Sequence, residues 1–277
     1  MTGKSSIMTD PNYSVTVRDE HITYLKKVAD HFKNQDEENY LFLVEKLIYL
    51  VLEYLSASSE KPKLPFDPTL ETSNFLEKMN RKSVEAFNKG NIEEAGKIIT
   101  SVVDILNQKD ISKLYANELK LYESKILTYN NLSCIYRKLG KLPLSLKVIC
   151  FALELEEKLA EENYGTSHIS IISTYLNKSS ILSQMNKHDL ALEAVNQALD
   201  QMREVETNHK IGEGEKVHIQ HLRMSAFYNL ASELEHLGQP DKAILGYEKA
   251  KEYANELGKQ NVIKRIEKAI SNIRNTY

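Results

Sequence analysis

Three asparagines recur in one setting. Asn131, Asn177 and Asn229 each stand two residues ahead of a small residue, Ser133, Ser179 and Ala231, and Arg81 holds the equivalent place ahead of Ser83. An amide side chain carries a donor and an acceptor, so a row of them can pair with the N–H and C=O groups of an extended peptide of any sequence. That is recognition chemistry, and catalytic chemistry has less support. Gly212-Glu213-Gly214 lacks the third glycine and the preceding strand of a phosphate loop. Ser, His and Asp are plentiful, yet no nucleophile elbow or Cys-His signature marks an activated nucleophile. His218 and His221 lie at i, i+3 beside Glu213 and Glu215. Such a pair can grip a metal, but on a charged helix it is more often a solvated face. The chain therefore reads as non-enzymatic, with no cofactor and no metal.

The segments that carry the amides repeat. Thr128 to Leu155 reads as two amphipathic helices around Gly140, with Tyr129, Leu132, Ser133 and Tyr136 at helical spacing on one side and Leu144, Val148, Ile149, Ala152 and Leu153 on the other. The same pattern surrounds Gly90, Asn186 and Gly238. Small residues hold fixed places in the four copies: Ser83, Ser133, Ser179 and Ala231 before the turn, then Ala95, Ser145, Ala191 and Ala243 after it, then Val102, Ala152, Ala198 and Ala250. Small residues let helices approach closely, and larger ones such as Ile99, Ile149, Val195 and Tyr247 fill the gaps. No single hairpin can bury its apolar stripe, so the hairpins must stack.

On these residues the chain, from about Ser73 to Leu257, resembles the tetratricopeptide-repeat (TPR) family. The wording LTYNNLSCIYRKLGKLPLSLKVICFALELEEKLAEENYG is similar to the long-repeat TPRs of kinesin light chains. Successive turns lie 50, 46 and 52 residues apart, against a usual period of about 34. The tryptophan often found early in the first helix is replaced by Met79, Tyr129, Tyr175 and Phe227. The resemblance implies an all-α fold, a right-handed α-solenoid of helical hairpins with an N-terminal helical hairpin and a C-terminal capping helix.

It also implies that the first helix of each hairpin lines a concave groove, and that the asparagines hold a bound peptide backbone there. The expected groove residues are Asn80, Arg81, Asn130, Asn131, Cys134, Arg137, Lys138, Asn177, Ser180, Tyr228, Asn229 and Ser232. Arg81, Arg137 and Lys138 make its early half basic and Glu235 its late half less so, which predicts a partner with some acidic character. The carboxylate clamp of chaperone-binding TPRs is not met, because Ser173 and Asn177 stand where basic residues are needed.

Composition sets further bounds. The net charge of −3 argues against a dedicated nucleic-acid binder. Cys134 and Cys150 read as free thiols, buried or lining the groove. The first residues lack the apolar core of a signal peptide. The most apolar run, Tyr40 to Leu55, contains Glu45, Lys46 and Glu53 and is too short to cross a bilayer. The expected organisation is a disordered tail over 1–14, a helical hairpin over 15–56, a proline-rich linker without helix over 57–71, four long repeats over 72–259 and a capping helix over 260–277. Between Gln108 and Tyr129, apolar residues at helical spacing predict that the first helix of the second hairpin begins early. A cytoplasmic adaptor that binds an extended or helical peptide is the leading functional expectation. The alternative is a structural component of a cytoskeletal or ciliary assembly that uses its convex side and N-terminal hairpin.

Overall fold

The computed structural model describes residues 11–57, 64–161, 169–208 and 212–276. Residues 1–10 of the expected tail and 58–63 of the expected linker lie outside them, as do Tyr164-Gly165, which reads as a helix stop, and part of 208–215, which reads as a loop around Gly212 and Gly214. Among the described residues there are eleven α-helices, a short 3₁₀ turn at Ile111–Leu114 and no strand. The chain is all-α and built from helical hairpins. Two compact units divide it, residues 1–125 and 126–277.

In the first unit α1 (Pro11–Phe32) pairs with α2 (Glu37–Ala57), and α3 (Pro68–Asn88) with α4 (Ile92–Leu106). Helix α1 starts inside the expected tail, because a proline at a helix start loses nothing by its missing N–H. Helix α3 likewise starts inside the expected linker. Pro68 sits in its first turn and the Asp67 carboxylate accepts a hydrogen bond from the Thr69 N–H. Val44, Leu47, Ile48 and Val51 of α2 join Leu76 of α3 and Val102, Ile105 and Leu106 of α4 in one core, which Ile111 and Leu114 of the 3₁₀ turn close. The turn is separate from α5 (Glu118–Lys138), so the second hairpin's first helix does start early, but only from Glu118.

The second unit holds the end of α5 from Ile126, then α6 (Leu142–Glu161), α7 (Ile169–Gln184), α8 (His188–Asn208), α9 (Glu213–His236), α10 (Pro240–Glu256) and α11 (Gln260–Thr276). Helix α7 packs on α6 and α8, and α9 on α8 and α10. Ile266, Ile270 and Ile273 of α11 cover the hairpin α9–α10 beside Ala243, Tyr247 and Ala250. The apolar stripe of this terminal helix is thus buried.

All twelve small-residue sites are buried. The closest approach is at Gly246, where an added Cβ would lie 3.0 Å from the Ala231 Cβ. Each of the four repeat hairpins turns through a residue of positive φ, Gly90 at 87°, Gly140 at 72° and Gly238 at 69°, with Asn186 at 56° in the third. The residue after each donates its N–H back across the turn, as Lys141 does to the Tyr136 carbonyl at 2.9 Å, so the last helical carbonyls are satisfied.

Candidate protein-interaction site

In the second unit the amide side chains are linked laterally between neighbouring first helices. The Asn177 Nδ2 of α7 donates to the Asn130 Oδ1 of α5 at 2.8 Å. Asn130 in turn donates to the Thr174 Oγ1 at 2.8 Å and to the Ile126 carbonyl at 3.1 Å. One repeat on, the Asn229 Nδ2 of α9 reaches the Ser180 Oγ of α7 at 3.4 Å, and Ser180 donates to the Leu176 carbonyl. Of the row that spacing picks out, Asn177 and Asn229 are each joined to a neighbouring first helix, through Asn130 and Ser180 rather than through one another, and all four side chains stay half-buried. A primary amide has two N–H groups and two lone pairs; Asn130 has spent both donors and one lone pair, whereas the lateral bonds of Asn177 and Asn229 orient their amides and leave capacity for a ligand.

The other expected residues of this unit surround that row. Asn131, Cys134 and Arg137 are half-buried and Lys138 is exposed. Burial pushes the Cys134 thiol up from its ordinary value, which keeps it protonated and unreactive. Cys134 and Cys150 are both free thiols. Tyr228 and Ser232 are half-buried. The Arg265 guanidinium of α11 lies 5.2 Å from the centre of the Tyr228 ring and donates to its hydroxyl at 3.1 Å.

Asn80 and Arg81 belong to the first unit, and there the expectation needs correction. Asn80 is only 3% exposed. It shares the buried side of α3 with Thr72, Leu76 and Ser83, and its amide donates to the Leu76 carbonyl at 3.1 Å. It offers nothing to a partner. Arg81, one residue on and a third of a turn round the helix, is exposed.

Charged neighbours of Arg81 escaped the sequence reading. Lys78 and Lys82 grip the Glu37 carboxylate at 2.7 and 2.6 Å, and hydrogen bonds from Lys78 and then Lys82 draw its pKa down to about 2. Glu85 and Lys89 continue the side of α3 that Arg81 begins. The repetition of charge every fourth residue, Arg81, Glu85 and Lys89, is the sequence signal for them.

Among the described residues no group of three or more His, Cys, Asp and Glu is placed to hold a metal ion. His218 is exposed and His221 half-buried. Among the described residues no helix is long and apolar enough to cross a membrane.

Comparison with known proteins agrees with this architecture. The tetratricopeptide repeat family model matches residues 172–201 and 225–257, which cover most of α7–α8 and α9–α10. No curated protein sequence matches the chain. Among solved structures, BtubC (BKLC) from P. vanneervenii is similar, at 18% identity and a TM-score of 0.51 over 88% of this chain and 91% of that one. MamA AMB-1 is 12% identical, with a TM-score of 0.39 over 86% and 99% of the two chains. A chain of the APC/C hetero-tetramer Cut9-Hcn1 is 15% identical, with a TM-score of 0.38 over 95% and 49%. The first of these is a likeness of fold. With its stacked hairpins on buried small residues and left-handed turn residues, the chain thus carries tetratricopeptide repeats over residues 172–201 and 225–257, a repeat class that generally serves as a protein-interaction scaffold.

Proposed function

We propose that the chain is a non-enzymatic, cytoplasmic adaptor whose second unit binds an extended or helical segment of another protein along the first helices α5, α7 and α9. The observation that carries this reading is the lateral bonding of Asn130 to Asn177 and of Ser180 to Asn229. Amides held in plane by their neighbours are already ordered before a partner arrives, so binding costs less side-chain entropy. Main-chain pairing by such amides is indifferent to the partner's side chains, and Arg137 and Lys138 beside them favour an acidic one.

The test is a pull-down with crosslinking from the source cell, comparing the wild type with Asn131→Ala/Asn177→Ala. The double variant should keep its helical circular dichroism and its melting temperature within a few degrees while the captured partner is lost. Unchanged capture would mean that the amides only tie repeats together. A second reading, an assembly component that works through its N-terminal hairpin, is favoured by the exposure of Tyr24 on α1 (69%) and Phe42 on α2 (54%). In that case the chain itself co-sediments with the polymer, and the asparagine variant does not release it.

A further inference from the structure

The turn-based alignment gives one position, five residues before the turn, four occupants: Glu85, Ile135, Ile181 and Glu233. In the second unit it is closed, with Ile135 2%, Ile181 1% and Glu233 2% exposed, the last bonded to His188 at 2.7 Å. In α3 it is open. Helix α2 begins only at Glu37, beside Lys78 and Lys82, so the last turns of α3 extend past it. A cavity of about 640 Å³ fills the space that a packed neighbour takes elsewhere.

Along its floor run Arg81, Glu85 and Lys89, all exposed. Residues four apart on a helix are about 6 Å apart along its axis, so the floor reads plus, minus, plus at that interval. The walls are internally paired. Glu37 is held by the two lysines, and Glu94 accepts from the Asn91 amide at 3.2 Å. Arg81, Glu85 and Lys89 are at i, i+4 from one another, yet no ion pair joins them among the described residues.

We infer that this cleft in the first unit binds an extended peptide segment that carries acid, base and acid on alternate residues. An extended chain advances about 6.7 Å per two residues and points alternate side chains the same way, so its charges meet the floor in register. A helical segment with charges every fourth residue has the same interval. A helix of about nine residues is marginal on its own in water, however, whereas an extended segment of about five residues presents the same three charges. Three acids in a row would set the middle carboxylate against Glu85, and like charges in contact are penalised. The site is distinct from the amide row of the second unit.

The experiment measures binding of synthetic peptides to the full chain at low salt by calorimetry. The probes are Gly-Glu-Ser-Lys-Ser-Glu-Gly, its all-acid relative Gly-Glu-Ser-Glu-Ser-Glu-Gly, and a helical peptide with Glu, Lys and Glu every fourth residue. The wild type should bind the first about fivefold or more tighter than the others, a ratio typical of exposed charge pairs. Glu85→Lys should reverse the order of the two extended peptides. Arg81→Glu and Lys89→Glu should each lose about tenfold for the first peptide. All three substitutions are at exposed sites, and unchanged circular dichroism certifies the fold. A wild type that prefers the all-acid or the helical peptide, an order that Glu85→Lys leaves unmoved, or no binding at millimolar peptide overturns the inference. Asn131→Ala/Asn177→Ala should leave these affinities unchanged, which separates this outcome from that of the proposed function.

Discussion

The hairpins α3–α4 and α7–α8 are the same object inside and different objects outside. Ser83 and Ser179, Ala95 and Ala191, and Val102 and Ala198 occupy matching sites, and all six are buried. Their outer sides share little. Helix α3 shows Arg81, Glu85 and Lys89 to solvent, while α7 bonds Asn177 and Ser180 to its neighbours and hides Ile181. Interior sites are set by the helix that faces them across the hairpin, which is nearly constant. Outer sites are set by the next hairpin or by its absence. Contact between hairpins therefore decides which face of a repeat is free to bind.

Exchanging the occupants of one site would break this comparison most decisively. Ile181→Glu buries an unpaired carboxylate and should cost about 3–5 kcal/mol at neutral pH, whereas Glu85→Ile should stay within about 0.5 kcal/mol. Urea titrations of the two variants provide the measurement. Similar losses in both would show that α3 is covered in solution.

Buried charge gives a second, smaller contrast. At the site filled by Leu106 in α4, Met202 in α8 and Ala254 in α10, helix α6 carries Glu156, which is 7% exposed. One oxygen accepts from the Ser170 hydroxyl at 3.0 Å and the other has no partner. Burial raises this carboxyl from its ordinary value to about 7, against the opposing hydrogen bonds of Ser170 and Thr174. Between about pH 4.5 and pH 7 the folded chain then holds a proton that the unfolded chain has released. Stability should fall as pH rises through that window. Glu156→Gln should flatten the slope and stabilise the protein at pH 8 by up to about 3 kcal/mol. Melting curves at several pH values check both; a slope that survives the substitution would assign the pH dependence to other groups.

The smallest effect comes from the matched serines. The Ser83 hydroxyl donates to the Ala95 carbonyl across its hairpin at 3.0 Å, while the buried Ser179 hydroxyl has no partner. Ser83→Ala should cost about 1 kcal/mol and Ser179→Ala should be neutral or stabilising. Equal losses from both would show that Ser179 finds a water or backbone partner in solution.

Most of the interior was legible in the amino-acid order. Ser133, Ser145 and Ala152 recur at fixed distances from a turn, and a close approach between two helices tolerates so few residue types that repetition exposes it. The positive φ at Gly140 and Asn186 was legible for the same reason. The binding faces were less so. Asn80 and Asn130 hold the same place before their turns and each bonds to the carbonyl four residues back, yet Asn80 is buried while Asn130 stays half-buried and is joined to Asn177. The difference lies in what stands opposite each side chain. Pro68 likewise looks like a linker residue until Asp67 is seen to cap a helix beginning there.

The sequence alone determined that the chain is a row of helical hairpins, where each one turns and which side of each helix is buried within its own hairpin. Those facts depend on contacts between residues near one another in the chain, and their periods can be counted. Only the tertiary structure decided that Ile181 is covered and Glu85 open, that Asn177 is tied to Asn130, and that Lys78, Lys82 and Glu37 form one cluster. Those depend on where one hairpin ends against the next, a length and an angle that no single repeat encodes.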